Sequence, residues 1–172
     1  MSNAQNLNYG IIGNCKSAAL IDKNGSIDWC CLPRFDSPSI FAKILDREKG
    51  GGFGIYPKEK FKVKQNYLDE SCILITRFEN KSSSFEIIDF MPRFQNEKGE
   101  YFAPPEIIRF VKPIKGNTRI KFEYDPKLEY AQGETSHQIK KNVIVSEVNH
   151  PKHDSLFLYT NLPQGQLINQ EY

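Results

Sequence analysis

Apolar and polar residues change places along this chain at the rhythm of β-strands. Phe61-Lys62-Val63-Lys64 and Ile120-Lys121-Phe122-Glu123-Tyr124 alternate with a period of two, the pattern of a strand with one buried face. Short apolar runs predict further strands over Tyr9 to Ile12, Ala18 to Ile21, Ser26 to Leu32, Ile73 to Phe78, Phe85 to Phe90, Ile107 to Val111, Val143 to Val148 and Leu156 to Thr160. Between the second and third of these runs, Asp22-Lys23-Asn24-Gly25 reverses the chain, because Asn-Gly suits the positive φ of a tight hairpin. One segment departs from the rhythm. Ser39 to Glu48 predicts a short helix, with Ser39 as cap, Ile40, Phe41, Ile44 and Leu45 on one face, and Gly50-Gly51-Gly52 as the stop. About ten short strands punctuated by Pro and Gly predict an all-β, antiparallel β-sandwich with that one helix. Residues 1–8 are read as a disordered tail and 9–172 as one domain. Only Asn161 to Tyr172 come after the last strand, without a clear structural stop, so the sandwich is expected to lack its last strands and leave a bare sheet edge.

Composition narrows the partners. The 172 residues are 39% hydrophobic and 12% aromatic, which argues for a packed domain rather than disorder. Net charge is +2, from 23 basic and 21 acidic residues spread through the chain, with no basic run of the kind nucleic acid requires. No apolar stretch approaches the roughly 20 residues that cross a bilayer, so no membrane is expected. Adjacent Cys30 and Cys31 would point to opposite faces of a strand, and with Cys15 and Cys72 they make no zinc pattern. Two disulfides remain open as a reading. The opening Met1-Ser2-Asn3-Ala4-Gln5 without an apolar leader favours four reduced cysteines in a cytoplasmic protein.

Candidate chemistry concentrates in one loop. Trp29-Cys30-Cys31-Leu32-Pro33-Arg34-Phe35-Asp36-Ser37-Pro38-Ser39 carries an apolar strand into a polar loop bounded by two prolines, and loops on rigid sheets are where functional side chains gather. Trp29 itself is expected to be buried, as part of the core. Arg34 and Asp36, two residues apart, suit either a sugar-hydroxyl site or an ion pair within the loop. Elsewhere Asp28, Asp89 and Glu106 are expected to face solvent, bind a turn, or pair with Arg34, Arg77, Arg93 or Arg109. His137, His150 and His153 lie in a late polar region, with His150-Pro151-Lys152-His153 read as a loop, and no metal set is identified among them. Ser37 and Ser39 lack a nucleophile-elbow context, and Gly50 to Gly54 leads from the predicted helix into a strand, the reverse of a phosphate loop. No catalytic residue, metal or cofactor is assigned.

Several runs together resemble the amino-terminal domain of glycoside hydrolase family 15, the glucoamylase and trehalase-like enzymes of bacteria and archaea. They are Tyr9-Gly10-Ile11-Ile12-Gly13-Asn14-Cys15, Ser17-Ala18-Ala19-Leu20-Ile21, the long run from Gly25 to Ser39, Ile88-Asp89-Phe90-Met91-Pro92-Arg93, Pro104-Pro105-Glu106-Ile107-Ile108-Arg109 and Tyr124-Asp125-Pro126. The resemblance implies an amino-terminal β-sandwich followed by an (α/α)6 barrel that supplies a glutamate acid and a glutamate base and inverts the anomeric carbon. The barrel is absent from these 172 residues, so no catalytic residue carries over. What the resemblance implies is a non-catalytic domain that packs on the barrel of the same polypeptide and shapes the entrance to a site for an α-glucan or trehalose. Arg34, Phe35 and Asp36 would then line the cleft rim or brace the domain interface. The rival reading is a stand-alone carbohydrate-binding or interaction module without an enzyme.

Overall fold

The computed structural model describes residues 7–141, 143–149 and 155–162. In chain order the strands are β1 (Tyr9–Gly13), β2 (Ala18–Asp22), β3 (Ile27–Cys31), β4 (Ser39–Phe41), β5 (Gly52–Pro57), β6 (Lys62–Tyr67), β7 (Leu74–Glu79) and β8 (Ser84–Phe90). They continue through β9 (Phe94–Gln95), β10 (Tyr101–Phe102), β11 (Ile108–Lys115), β12 (Ile120–Asp125), β13 (Thr135–Lys140), β14 (Val143–Val148) and β15 (Leu156–Tyr159). Pairing is antiparallel throughout the described residues. One sheet runs β1-β2-β3-β5-β12 with β4 added beside β3, a second runs β11-β8-β7-β6, a third runs β13-β14-β15, and β9 and β10 form a separate ribbon. The fold is therefore the all-β, sandwich-like architecture that the alternating pattern predicts.

The core arises from that alternation. One cluster joins Ile12, Ala19, Ile21, Ile27 and Cys30 of the first sheet to Leu74 of the second and to Ile144 and Val148 of the third. A smaller one sets Ile55 of β5 against Phe78, Phe85 and Ile87, with the Phe78 and Phe85 rings stacked at 4.7 Å. Across this interior runs one ion pair. Arg109 on β11 faces Asp89 on β8 in register, with contacts of 2.8 and 3.2 Å, and both side chains are nearly inaccessible. The same guanidinium donates to the Phe53 carbonyl at 2.6 Å and the Gly25 carbonyl at 2.5 Å, and its plane lies over the Phe53 ring. Arg109 thus binds the second sheet to the hairpin turn and to β5 of the first. Every donor direction that the fork uses is met, which is what a buried charge requires.

The β1 edge is closed with a side chain. Tyr67, at the end of β6, uses its hydroxyl twice on the outer strand β1, accepting from the Ile11 amide at 2.7 Å and donating to the Ile11 carbonyl at 3.0 Å. Gln65 of the same strand reaches the Asp22 carbonyl at 3.2 Å.

The predicted helix is not formed. Ser39 to Phe41 is β4, with Ser39 opposite Cys31 and Phe41 opposite Cys30. The Ala42 and Lys43 amides donate to the Gly50 and Gly51 carbonyls, and the Ile44 amide donates to the Asp28 carbonyl. A helical ladder would have needed those donors. After β4 the chain makes a pair of turns around Asp46, whose carboxylate accepts from the Glu48 and Lys49 amides at 2.9 Å each. A Cβ at Gly50 would lie 2.2 Å from the Ala42 carbonyl oxygen, so this close return needs glycine. The short helical segment of the fold lies instead at Leu128–Ala131, where Glu129, Tyr130 and Ala131 have φ of 53°, 58° and 59°, a left-handed turn. Leu128 anchors it in the core. Trp29 is half-buried opposite Leu20 rather than fully enclosed, because the Ile27 and Cys30 side chains take the core face.

Candidate functional site

The loop after β3 is built from short, local bonds. The Arg34 amide donates to the Ser37 hydroxyl and the Ser37 amide donates back to the Arg34 carbonyl, each at 3.1 Å, which closes a tight turn between the prolines. The Leu32–Pro33 peptide is cis. Within that turn Arg34 meets Asp36 through a two-point contact, Nε to Oδ1 at 2.9 Å and Nη2 to Oδ2 at 3.0 Å. The guanidinium holds the Asp36 carboxyl below its ordinary range. Both side chains are about 70% exposed, so solvent screens the pair and it contributes little to stability. Its effect is orientation. The paired fork leaves N–H groups and carboxylate lone pairs facing outward, beside the exposed ring of Phe35.

Two other segments brace this loop. The Phe35 amide donates to the Lys16 carbonyl at 3.0 Å, in the turn between β1 and β2. Asn14 organises that turn: its Oδ1 accepts from the Lys16 and Ser17 amides at 3.1 Å, and its Nδ2 donates to the Pro104 carbonyl at 2.8 Å. Ser17 donates its hydroxyl to the Cys31 carbonyl at the end of β3. Cys15 adopts the left-handed backbone this geometry needs, with φ of 69°. The three segments enclose a shallow hollow of about 620 Å³ lined by Cys15, Lys16, Pro33, Arg34, Phe35, Asp36, Ala103 and Pro105. Polar donors and acceptors beside an aromatic face are the components of a sugar-contacting or domain-contacting surface.

The remaining candidates disperse. Asp89 is committed to Arg109. Asp28 departs from expectation: it is buried in β3, and its carboxylate accepts the Tyr9 hydroxyl at 3.1 Å in place of an arginine. Burial lifts its carboxyl above the ordinary range, and burial together with the Asp28 charge pushes the Tyr9 phenol up to about 12. Glu106 is exposed. His137 touches the Ser146 hydroxyl at 3.0 Å, and Ser146 touches the Tyr124 hydroxyl at 3.1 Å, a polar chain leading from the half-buried His137 of β13 into the interior. Burial lowers the His137 imidazole. These contacts have no signal in the sequence, because β13 is polar almost throughout. His150 and His153 lie outside the described residues. The four cysteines are free, and burial pushes the Cys30 thiol up to about 12.

A β-sandwich that presents a braced polar loop, and keeps its interior carboxylates for structure, has the form of an accessory domain. The chain belongs to the trehalase-like N-terminal family, whose model matches residues 3–161. It is 37% identical over 127 residues to a trehalase of Thermoplasma volcanium, covering 72% of this chain and 20% of that protein. It is 51% identical over 84 residues to trehalase 1 of Sulfolobus acidocaldarius, covering 48% of this chain and 14% of that protein. A trehalase of Mycolicibacterium smegmatis is 28% identical over 178 residues, which take in 91% of this chain and 26% of that protein. The chain thus spans about a fifth of the length of the first two curated relatives it matches. No solved structure matches it significantly.

Proposed function

We propose that this chain is the non-catalytic amino-terminal domain of a cytoplasmic, inverting glycoside hydrolase of family 15 that cleaves an α-glucoside of the trehalose or maltooligosaccharide type. One observation carries the reading: the trehalase-like N-terminal family spans nearly the whole chain, while the matched trehalases run several times longer. In this reading residues 9–172 form one domain that packs on the (α/α)6 barrel of the same polypeptide. The barrel supplies both carboxyl groups, and the sandwich shapes one side of the entrance. Arg34, Phe35 and Asp36 serve the rim or the interface, as their exposure and two-point pairing favour. The free cysteines fit a reducing compartment. Among the described residues no helix is long and apolar enough to cross a membrane.

Comparing the full-length polypeptide with the 172-residue chain tests this. The full-length protein is expected to hydrolyse trehalose or maltotriose with inversion, and the short chain to be inactive. Hydrolysis by the purified short chain would overturn the reading. Arg34→Ala is expected to lower kcat/KM or the melting temperature of the full-length protein. Its effect on the short chain should stay within about 0.5 kcal/mol, as for other exposed substitutions. Unchanged kinetics and melting in the full-length variant would remove the loop from the proposed role.

A further inference from the structure

The edges of this molecule are treated unequally. Tyr67 covers β1, β6 carries Lys62 and Lys64, and β11 carries Lys112, Pro113 and Lys115 with a break in register. Covers, lysines, prolines and bulges of this kind keep a free edge from pairing with another strand. β15 has none of them. It reads Leu-Phe-Leu-Tyr, pairs with β14 along one side, and among the described residues has no strand on the other. Leu156 and Leu158 pack on the large core, while Phe157 and Tyr159 are 52% and 75% exposed.

Beside this edge lies a cleft of about 950 Å³ whose walls include Ile40, Phe41, Phe53, Ile107, Leu128 and Leu158. Phe41 and Leu128 are core residues. Protein interiors close to crystal-like density, and an opening of this size into a core calls for an occupant. A sugar would need several converging polar groups. Of the polar side chains on the cleft, Tyr124 is already bonded to Ser146 and Ser155 to Glu147, and the other two, Glu106 and Tyr159, are exposed. Its chemistry fits apolar side chains arriving on a backbone.

We infer that β15 is extended by a further strand of the same full-length polypeptide, lying carboxy-terminal to this region, whose alternate apolar side chains fill the cleft. Backbone pairing along β15 and pockets for every second side chain are the two requirements of strand addition. The inference rests on the proposed function, because it needs the longer polypeptide. The length of the relatives supplies that: the matched stretches cover 14–26% of them. A strand donated in cis loses little entropy on association, since its effective concentration is high.

Hydrogen exchange across β15 tests this, with trehalose hydrolysis measured on the same full-length sample. Outward amides of residues 156–159 should exchange freely in the 172-residue chain and about a hundredfold or more slower in the full-length protein, as paired strands do. Leu158→Lys should abolish that protection in the full-length protein. Should that variant fail to fold, the exchange comparison on the unmodified proteins decides. Free exchange of β15 in an active full-length enzyme overturns the inference and leaves the proposed function standing. Protection in a full-length protein without glycosidase activity supports the strand and overturns the function. Protection already present in the short chain, together with a dimer in sedimentation, would assign the edge to a second copy and overturn the inference.

Discussion

Asp28 shows how much a single position can cost and reveal. A carboxylate inside a sheet keeps its charge only against burial, and the neighbouring Ser26 and Tyr9 hydroxyls and the Lys43 charge offset only part of that. Its folded-state value lies above the ordinary 3.8, so the fold favours the protonated form. The stabilising contribution is therefore complete below the unfolded value and is lost as the pH rises through the folded one. Asp28→Asn keeps an acceptor for Tyr9 and removes the charge. It is expected to raise the melting temperature at pH 7, with the gain shrinking towards zero near pH 4. Melting curves at the two values check this, and a lower melting temperature at pH 7 would contradict it. The sequence shows only an acidic residue ahead of a tryptophan. Its burial comes from the register shift between β2 and β3, where Ile21 opposes Ile27 and Leu20 opposes Trp29, and such a shift leaves no trace in a pattern of period two.

At the scale of elements, regular strands are legible because half-buried strands write their burial into alternate positions, as β7 does with Leu74, Thr76 and Phe78. Two kinds of element are not. The stretch from β4 to Leu45 carries helical spacing at Ile40, Phe41, Ile44 and Leu45, yet its amides bond to β3 and to the Gly50–Gly51 return, contacts made by residues distant in sequence. β13 reads Thr-Ser-His-Gln-Ile-Lys, too polar to be recognised as a strand, and is held by its six-residue ladder to β14. The loop at Arg34 is visible by composition, but its supports at Lys16 and Pro104 are not, because each is brought in by the fold. Edge closure by Tyr67 belongs to this scale too. Tyr67→Phe removes one hydroxyl that serves both polar groups of Ile11, and should cost about 1 kcal/mol while speeding exchange of the Ile11 amide. Chemical denaturation and hydrogen exchange measure the two effects. An unchanged Ile11 amide would mean that the edge is closed without the phenol.

For the whole molecule, Arg109 is a junction, since β5, β8, β11 and the β2–β3 turn all meet at its guanidinium. Arg109→Ala leaves Asp89 buried without a partner and should destabilise by about 3–5 kcal/mol in urea unfolding. Arg109→Lys should recover only part, because an ammonium cannot reach two carbonyls and a carboxylate in one plane. Full recovery by lysine would show that charge alone suffices.

At the opposite extreme of exposure, the Arg34 loop is tied to the Lys16 turn, and that turn to Pro104 through Asn14. These bonds fix the three segments against one another before anything arrives. A partner or glycan reaching Phe35 therefore meets a surface already in its contact shape. In the proposed rim or interface role little loop entropy remains to be lost on contact, so recognition would be set by fit rather than by induced ordering.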